Sequence, residues 1–192
     1  MGYYGPMKNG PGQHGVSRAE WLLAAAEMLE THSISDVKID TLAKSLNISK
    51  SGFYWHFKGR DELLDYLLNF WLHEVTEVIT DNPILLKLDP VNRLRQIAEI
   101  ILDYDLVRYE IGIRQWALSN EKVAAAVASA NQVRLDFVGK ALQELGFAGE
   151  DLEMRTLLFT CYHSSESLMF REIPPERRRR LIQKRVDLIT SR

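Results

Sequence analysis

Between Lys50 and Arg60 the chain sets Lys50, Ser51, Tyr54, Trp55, His56, Lys58 and Arg60 close together in sequence. Cationic heads, a hydroxyl and aromatic rings at this density suit contact with phosphates and base edges rather than bond-breaking chemistry. A lysine matches guanine O6 and N7, and a tyrosine ring packs on a thymine methyl. Phe53 and Phe57, four residues apart, share the opposite face and would hold such a surface against a core.

The stretches around this cluster are those needed to position it. Ile39, Leu42, Ala43 and Leu46 recur at helical spacing and predict one apolar helical face. Asn47 follows at once, a residue that tolerates the left-handed conformation ending a helix. Ile48 gives an apolar turn residue, and Ser49 suits the N-cap of a second short helix. Two short helices joined by a tight turn, the second propped by phenylalanines, form the pattern of a major-groove reader. If Tyr54 and Trp55 were buried instead, the segment would be a plain helical hairpin.

The rest of the chain reads as helices. Ser17 and Glu20 form a capping box for a first helix with Trp21, Leu22, Ala25, Met28 and Leu29 as its stripe. Residues 32–36 read as a polar connection with Ile34 as its buried anchor. A long helix from Asp61 carries Leu63, Leu64, Leu67, Leu68, Trp71, Val75 and Val78, coverage wide enough to wedge it between two bodies. Further helices are expected over about 91–107, 108–118, 121–145, 150–169 and from Pro175 onward, with Gly146 closing the longest. No period-two alternation is sustained and there is no internal repeat. The fold class is therefore all-α with about nine helices: a flexible segment over 1–16, a helix-turn-helix head over 17–62 and a helical body over 63–192. Within 1–16, glycines and prolines leave either a disordered leader or an arm that touches phosphate through Lys8.

Composition sets outer bounds. The 192 residues are 46% hydrophobic and 26% charged, ordinary for a globular protein. No apolar run suggests a membrane span or a secretory signal, and one cysteine, Cys161, fits a reducing cytoplasm as a small buried apolar residue. The net charge of −2 argues against wholesale coating of nucleic acid, but residues 1–60 carry seven basic against five acidic side chains. Four consecutive arginines, Arg177 to Arg180, are expected to be a solvated face or an interface rim rather than a second DNA site.

The run from Ile48 to Leu64, Ile-Ser-Lys-Ser-Gly-Phe-Tyr-Trp-His-Phe-Lys-Gly-Arg-Asp-Glu-Leu-Leu, closely resembles the recognition-helix signature of the tetracycline-repressor (TetR) family of bacterial transcriptional regulators. The likeness covers about residues 17–70; beyond them only the helical architecture agrees. Carried over position by position, it implies that Lys50, Ser51 and Tyr54 face base edges. Trp55, His56, Lys58 and Arg60 would lie against phosphates, with Lys38 and Thr41 reaching flanking ones. The departures are Gly52 where the family usually has threonine, Asp40 where a basic or small polar residue is frequent, Asn47 for the usual turn glycine, and Ser33 for a loop glycine.

The resemblance further implies a homodimer on a palindromic double-stranded operator and a body that binds a small-molecule inducer. Helices eight and nine, with Ser164 and Ser165, are the dimer candidates. The inducer pocket is expected to be lined by Trp71, Tyr104, Tyr109, Ile113, Trp116, Phe137, Phe159, Tyr162, His163 and Met169. Its few polar neighbours would be Arg114, Asn131, Gln132 and Glu166, so a hydrophobic or aromatic ligand is expected, releasing a repressor. No cofactor and no metal is expected. Two other classes compete: a helical metal-dependent enzyme and a protein-interaction module without sequence-specific DNA binding. A di-iron bundle needs paired Glu-x-x-His motifs, which are missing, and His73–Glu77 and His163–Glu166 are lone pairs. No phosphate loop, nucleophile elbow or zinc spacing occurs.

Overall fold

The computed structural model describes residues 15–192, and within them it is helical throughout, with no strand. Tyr3, Tyr4, Lys8 and His14, and with them the expected arm, lie outside the described residues. The head begins with α1 (Arg18–Met28), whose Ser17 hydroxyl caps the backbone N–H of Glu20 while the Glu20 carboxylate accepts from the Ser17 N–H. After a single 3-10 turn at Ile34–Asp36 comes α2 (Ile39–Ser45). The buried anchor of that connection is Val37, whereas Ile34 is half-buried, because the 3-10 turn swings Val37 into the core. Asn47 ends α2 at φ 54°. Its N–H donates to the Lys44 carbonyl, and the Ile48 N–H donates to Ala43, which together close the helix with the paired bonds of a left-handed C-terminal turn.

The reading segment, Lys50–Trp55, is a 3-10 helix rather than an α-helix. Six residues are too few to nucleate an α-helix alone, and the tighter turn suffices where tertiary packing fixes the chain. Ser49 stands at its N-cap in extended conformation, but its hydroxyl contacts the Ser51 hydroxyl at 2.7 Å instead of capping the backbone. Phe53 and Phe57 are buried and stacked, 5.1 Å between ring centroids, and Trp21 of α1 meets Phe53 edge-on at 5.2 Å. The Arg18 guanidinium lies 3.8 Å above the Tyr66 ring, joining α1 to the next helix.

That next helix is the rod α3 (Arg60–Leu72), which passes through a π-helical turn, His73–Glu77, into the short α4 (Val78–Thr80). The π turn corrects the expected apolar stripe. Leu63, Leu64, Leu67, Leu68 and Trp71 are buried as expected, but beyond them Thr76 and Ile79 are buried and Val78 is only half-buried. One extra residue in the turn advances the register, so Ile79, eight positions after Trp71, occupies the face a regular helix would give to position seven.

The body comprises α5 (Pro90–Asp103), α6 (Glu110–Ala117), α7 (Glu121–Glu144), α8 (Gly149–Met169) and α9 (Pro175–Thr190). Asp89 and Asn120 cap α5 and α7 through their side chains, and Gly146 follows α7 at φ 88°. The arginine run is partly structural. Arg178 is buried and donates to the Ile173 carbonyl and the Ser167 hydroxyl, and Arg179 pairs with Asp103 of α5 at 2.6 Å. Cys161 is exposed on α8, not buried, because that face of α8 has no helix over it in the single chain. Among the described residues no helix is long and apolar enough to cross a membrane.

Two apolar clusters organise the chain. One joins the head to α6 and the first half of α7 through Tyr109, Ile113, Trp116, Val123 and Val127. The other joins α5, the second half of α7, α8 and α9 around Leu94, Leu142, Phe159 and Ile182. Gly112 marks where α6 meets the end of α1: a β-carbon there would stand 2.7 Å from the Leu29 carbonyl oxygen and 2.8 Å from its Cβ. Since backbone must yield, Gly112→Ala is expected to destabilise the protein by about 1–3 kcal/mol, read as a lower urea midpoint at unchanged slope.

Candidate nucleic-acid interface and ligand cavity

The head presents its reading segment outward. Trp55 is 88% and Tyr54 58% exposed, far more than a helical hairpin with buried rings would allow. In the 3-10 geometry residues three apart align, so Tyr54 stands in line with Ser51 and Trp55 with Gly52. A β-carbon on Gly52 would find only Ile48 Cδ1, at 3.7 Å, so the missing side chain is not demanded by packing. Lys38, Thr41, Lys50, Ser51 and Lys58 are all exposed on the same two elements and the turn that follows. Asp40 is engaged: its carboxylate lies 3.1 Å from the Lys50 ammonium, an exposed pair that holds the lysine head over the start of α2.

Two expected phosphate anchors are spent inside the head. Arg60 donates through Nε to the Val37 carbonyl at 2.7 Å and through Nη2 to the Ile34 carbonyl, clamping the connection before α2 onto the start of α3. His56 Nε2 lies 2.8 Å from the Val16 carbonyl, which leaves only Nδ1 for an outside partner. In both cases the side chain can reach a neighbouring loop carbonyl that sequence spacing does not reveal. Lys58 keeps its ammonium free among the described residues, while its backbone N–H donates to Glu62.

The body holds a narrow cavity with about 40 Å³ of free space between the π turn, α5, α7 and α8. Phe137, Phe159 and His163 line it, with Ile79, Ile97, Ile101, Leu106, Val107 and Val138 as its other apolar walls. Its polar groups are Thr76, Thr80, Arg134, Thr160 and Ser164, so Ser164 faces the cavity rather than an outer seam.

The remaining expected pocket residues lie elsewhere. Trp71, Tyr109, Ile113 and Trp116 belong to the cluster that ties head to body. Tyr104 and Met169 are 70% and 67% exposed, and Tyr162 lies at the surface with its hydroxyl donating to Glu166. Aromatic content alone does not separate a cavity wall from a helix-packing residue.

Sequence reasoning missed the polar centre beside the cavity. Glu110 is almost wholly buried. It accepts from Arg134 Nη1 at 3.0 Å, from Arg114 Nη2 at 2.7 Å and from the Trp71 indole N–H at 3.2 Å. Arg134 also donates through Nε to the Thr76 hydroxyl at 3.2 Å. The four-residue spacing of Glu110 and Arg114 was visible, but nothing in the sequence brings Arg134 to them. Among the described residues no group of three His, Cys, Asp or Glu side chains could hold a metal ion; His73 contacts Glu77 alone, and Glu166 is taken by Tyr162 and Arg185.

An outward-facing basic and aromatic segment thus stands on a helix-turn-helix head, carried by a helical body with an internal cavity. Residues 22–67 match the family model described as bacterial regulatory proteins, tetR family. The match lies within the head and the start of α3, and over these residues the chain is similar to that family.

Solved structures agree in fold over nearly the whole length. A TetR-like transcriptional regulator from Rhodococcus sp. RHA1 is 15% identical, with a TM-score of 0.69 over 94% of this chain and 100% of its own. A second Rhodococcus sp. Rha1 transcriptional regulator is also 15% identical, with a TM-score of 0.69 over 91% and 96% of the two chains. A tetR-family regulator from Streptomyces coelicolor is 19% identical, with a TM-score of 0.54 over 90% and 80%. No curated protein matches the chain in sequence.

The head geometry separates two basic residues. Arg60→Ala is expected to lower stability by about 1–3 kcal/mol because two loop carbonyls lose a charged donor. Lys58→Ala should leave the melting temperature unchanged and reduce the salt dependence of DNA binding by about one phosphate contact. Melting curves and salt titrations of both variants check this, and the reverse pattern would exchange their roles.

His163 gives a second expectation. Burial, reinforced by the Arg185 guanidinium, pushes its pKa from 6.5 down to about 3, so the folded chain holds it neutral. Between those two values the unfolded chain binds a proton that the folded chain does not, so stability falls as pH falls through that window. His163→Phe is therefore expected to lose less melting temperature than the wild type between about pH 7 and pH 5.

Proposed function

We propose that the protein is a dimeric repressor that occupies a palindromic operator and leaves it when a small molecule enters the cavity of the body. Support for the coupling comes from one observation: Arg134 touches both the cavity and the rod that carries the head. It lines the cavity, bonds to Thr76 in the π turn and shares Glu110 with Trp71 of α3. A ligand that displaces Arg134 or widens the gap between α7 and the π turn changes the support of α3, and hence the placement of the reading segment. The ligand must bind the released state better than the operator-bound state, since only differential affinity shifts the balance.

Lys50, Ser51 and Tyr54 read base edges in this scheme, while Trp55, Lys58, Lys38 and Thr41 contact backbone. Asp40 orients Lys50, and Gly52 leaves space beside Trp55 that relatives fill with a hydroxyl. His56 and Arg60 act mainly by fixing the head. One reading segment covers only a few base pairs, so a two-fold pair set about one DNA turn apart, or a multiple of it, supplies the specificity.

The pairing surface proposed is the open face of α8 with α9. Met154, Leu157, Leu158 and Cys161 recur there at helical spacing and are exposed in the single chain, as are Leu181 and Leu188 of α9. A self-complementary contact of two helices from each copy buries such a face. The cytoplasm, where the chromosome lies, is the proposed place of action.

Selection of random duplex DNA on the purified protein tests this reading. The expected outcome is an enriched palindrome bound by a dimer, with Tyr54→Ala and Lys50→Ala relaxing base preference at defined positions. Absence of any enrichment at modest salt would favour a helical interaction module. A dimer-disrupting Leu158→Glu variant is expected to sediment as a monomer and to lose operator retention while keeping its helical content.

A further inference from the structure

Two guanidiniums share one buried carboxylate beside the cavity. Arg114 and Arg134 both donate to Glu110, and among the described residues no second carboxylate contacts either of them. Among the described residues the cluster therefore carries one surplus positive charge. Arg114 is 42% exposed and water can screen it, but Arg134 is only 11% exposed and faces the cavity. A guanidinium has five N–H donors, and Arg134 uses one toward Thr76 and two toward Glu110, which leaves two.

The wall opposite offers more unspent polar atoms. The Thr160 hydroxyl is buried and meets no hydrogen-bond partner. His163 is buried at the cavity edge, and among the described residues neither ring nitrogen meets a partner. A neutral imidazole supplies one donor and one acceptor, and a buried hydroxyl left without a partner costs free energy that a ligand can recover. Beyond these groups the walls are Ile79, Ile97, Ile101, Leu106, Phe137 and Phe159.

We infer that the effector is a small apolar carboxylic acid, bound as its anion with the carboxylate toward Arg134, Thr160 and His163 and the hydrocarbon along the isoleucine and phenylalanine walls. This rests on the reading of the cavity as the effector site and narrows it to one ligand class. A monoanion matches the single surplus charge. A phosphate dianion would leave a charge uncompensated in an apolar surround, and a neutral alcohol would leave Arg134 without a counterion. Seating the anion also draws Arg134 from Glu110, because two carboxylates then compete for one guanidinium. The indole of Trp71 and the hydroxyl of Thr76 lose part of their support at that moment. The free space is small, so binding must move α7 and the π turn apart, which makes occupancy and displacement of the rod one event.

Calorimetric titration of the full-length protein at neutral pH tests the assignment. The probes are straight-chain carboxylates of about four to ten carbons, benzoate and phenylacetate, each beside its primary amide and alcohol. The best acid is expected to bind at least about tenfold more tightly than its amide and alcohol, as a charge-assisted contact requires. Arg134→Gln should abolish that preference. Because this change also strips a partner from Glu110, Thr160→Val serves as the second variant: it keeps the ion pair and should weaken the acid about three- to tenfold. Amide or alcohol binding as tightly as the acid would overturn the carboxylate assignment while leaving the cavity as an effector site. If no probe of any series binds and none releases selected DNA, the effector-site reading fails and this inference fails with it.

Discussion

The buried carboxylate of Glu110 is the constraint on which the rest of the molecule turns. A charge removed from water is tolerated only when paired and hydrogen-bonded, and removing one partner is far costlier than the pair is worth. Glu110 meets this demand by drawing a donor from each neighbouring element: the Trp71 indole from α3, Arg114 from its own helix and Arg134 from α7. The three elements cannot separate without exposing a broken charge pair. The apolar cluster around Trp21, Leu67 and Ile113 supplies most of the stability of that junction. The carboxylate adds direction, because its bonds require the three donors to converge on one point.

The same economy governs the reading head. Its recognition segment is about two turns of 3-10 helix that would not hold its shape unaided. Shape comes from outside: stacked phenylalanines beneath, the closing bonds around Asn47 before it, and Arg60 reaching back to the loop carbonyls behind. Side chains that a sequence places in the reading surface are therefore divided between two tasks. Tyr54 and Trp55 project freely, whereas His56 and Arg60 are turned inward to hold the platform on which they stand.

Local grammar was legible in the sequence. The capping box at Ser17, the left-handed Asn47, the proline-led starts of α5 and α9 and the glycine after α7 all depend on neighbours a few residues away. The family signature from Ile48 to Leu64 marked the head for the same reason. The cavity was not legible: seven of the ten residues expected to line it lie elsewhere, being aromatic or apolar side chains whose partners are set by helix packing over long sequence distances. Trp116 and Tyr109 pack where head meets body, and Tyr104 and Met169 face outward. Glu110, Arg134 and Thr76 carry the polar chemistry there, and no spacing rule joins positions so far apart.

The π turn at His73–Glu77 has a consequence for how this chain is set beside others. An extra residue in the rod offsets everything after it by about 100° of helical phase, the angle one residue spans in an α-helix. A chain with a regular helix at this place would need one residue fewer to present the same face to its cavity. An ungapped pairing of the two would then align heads correctly and bodies one position out of step, matching buried residues with exposed ones from Thr76 onward. The gap belongs inside the rod, although helices are where gaps are least readily placed. For the same reason, deletion of one residue from this turn is a change the rod can absorb by becoming a plain α-helix, whereas the same deletion in α3 would rotate the whole head against the body.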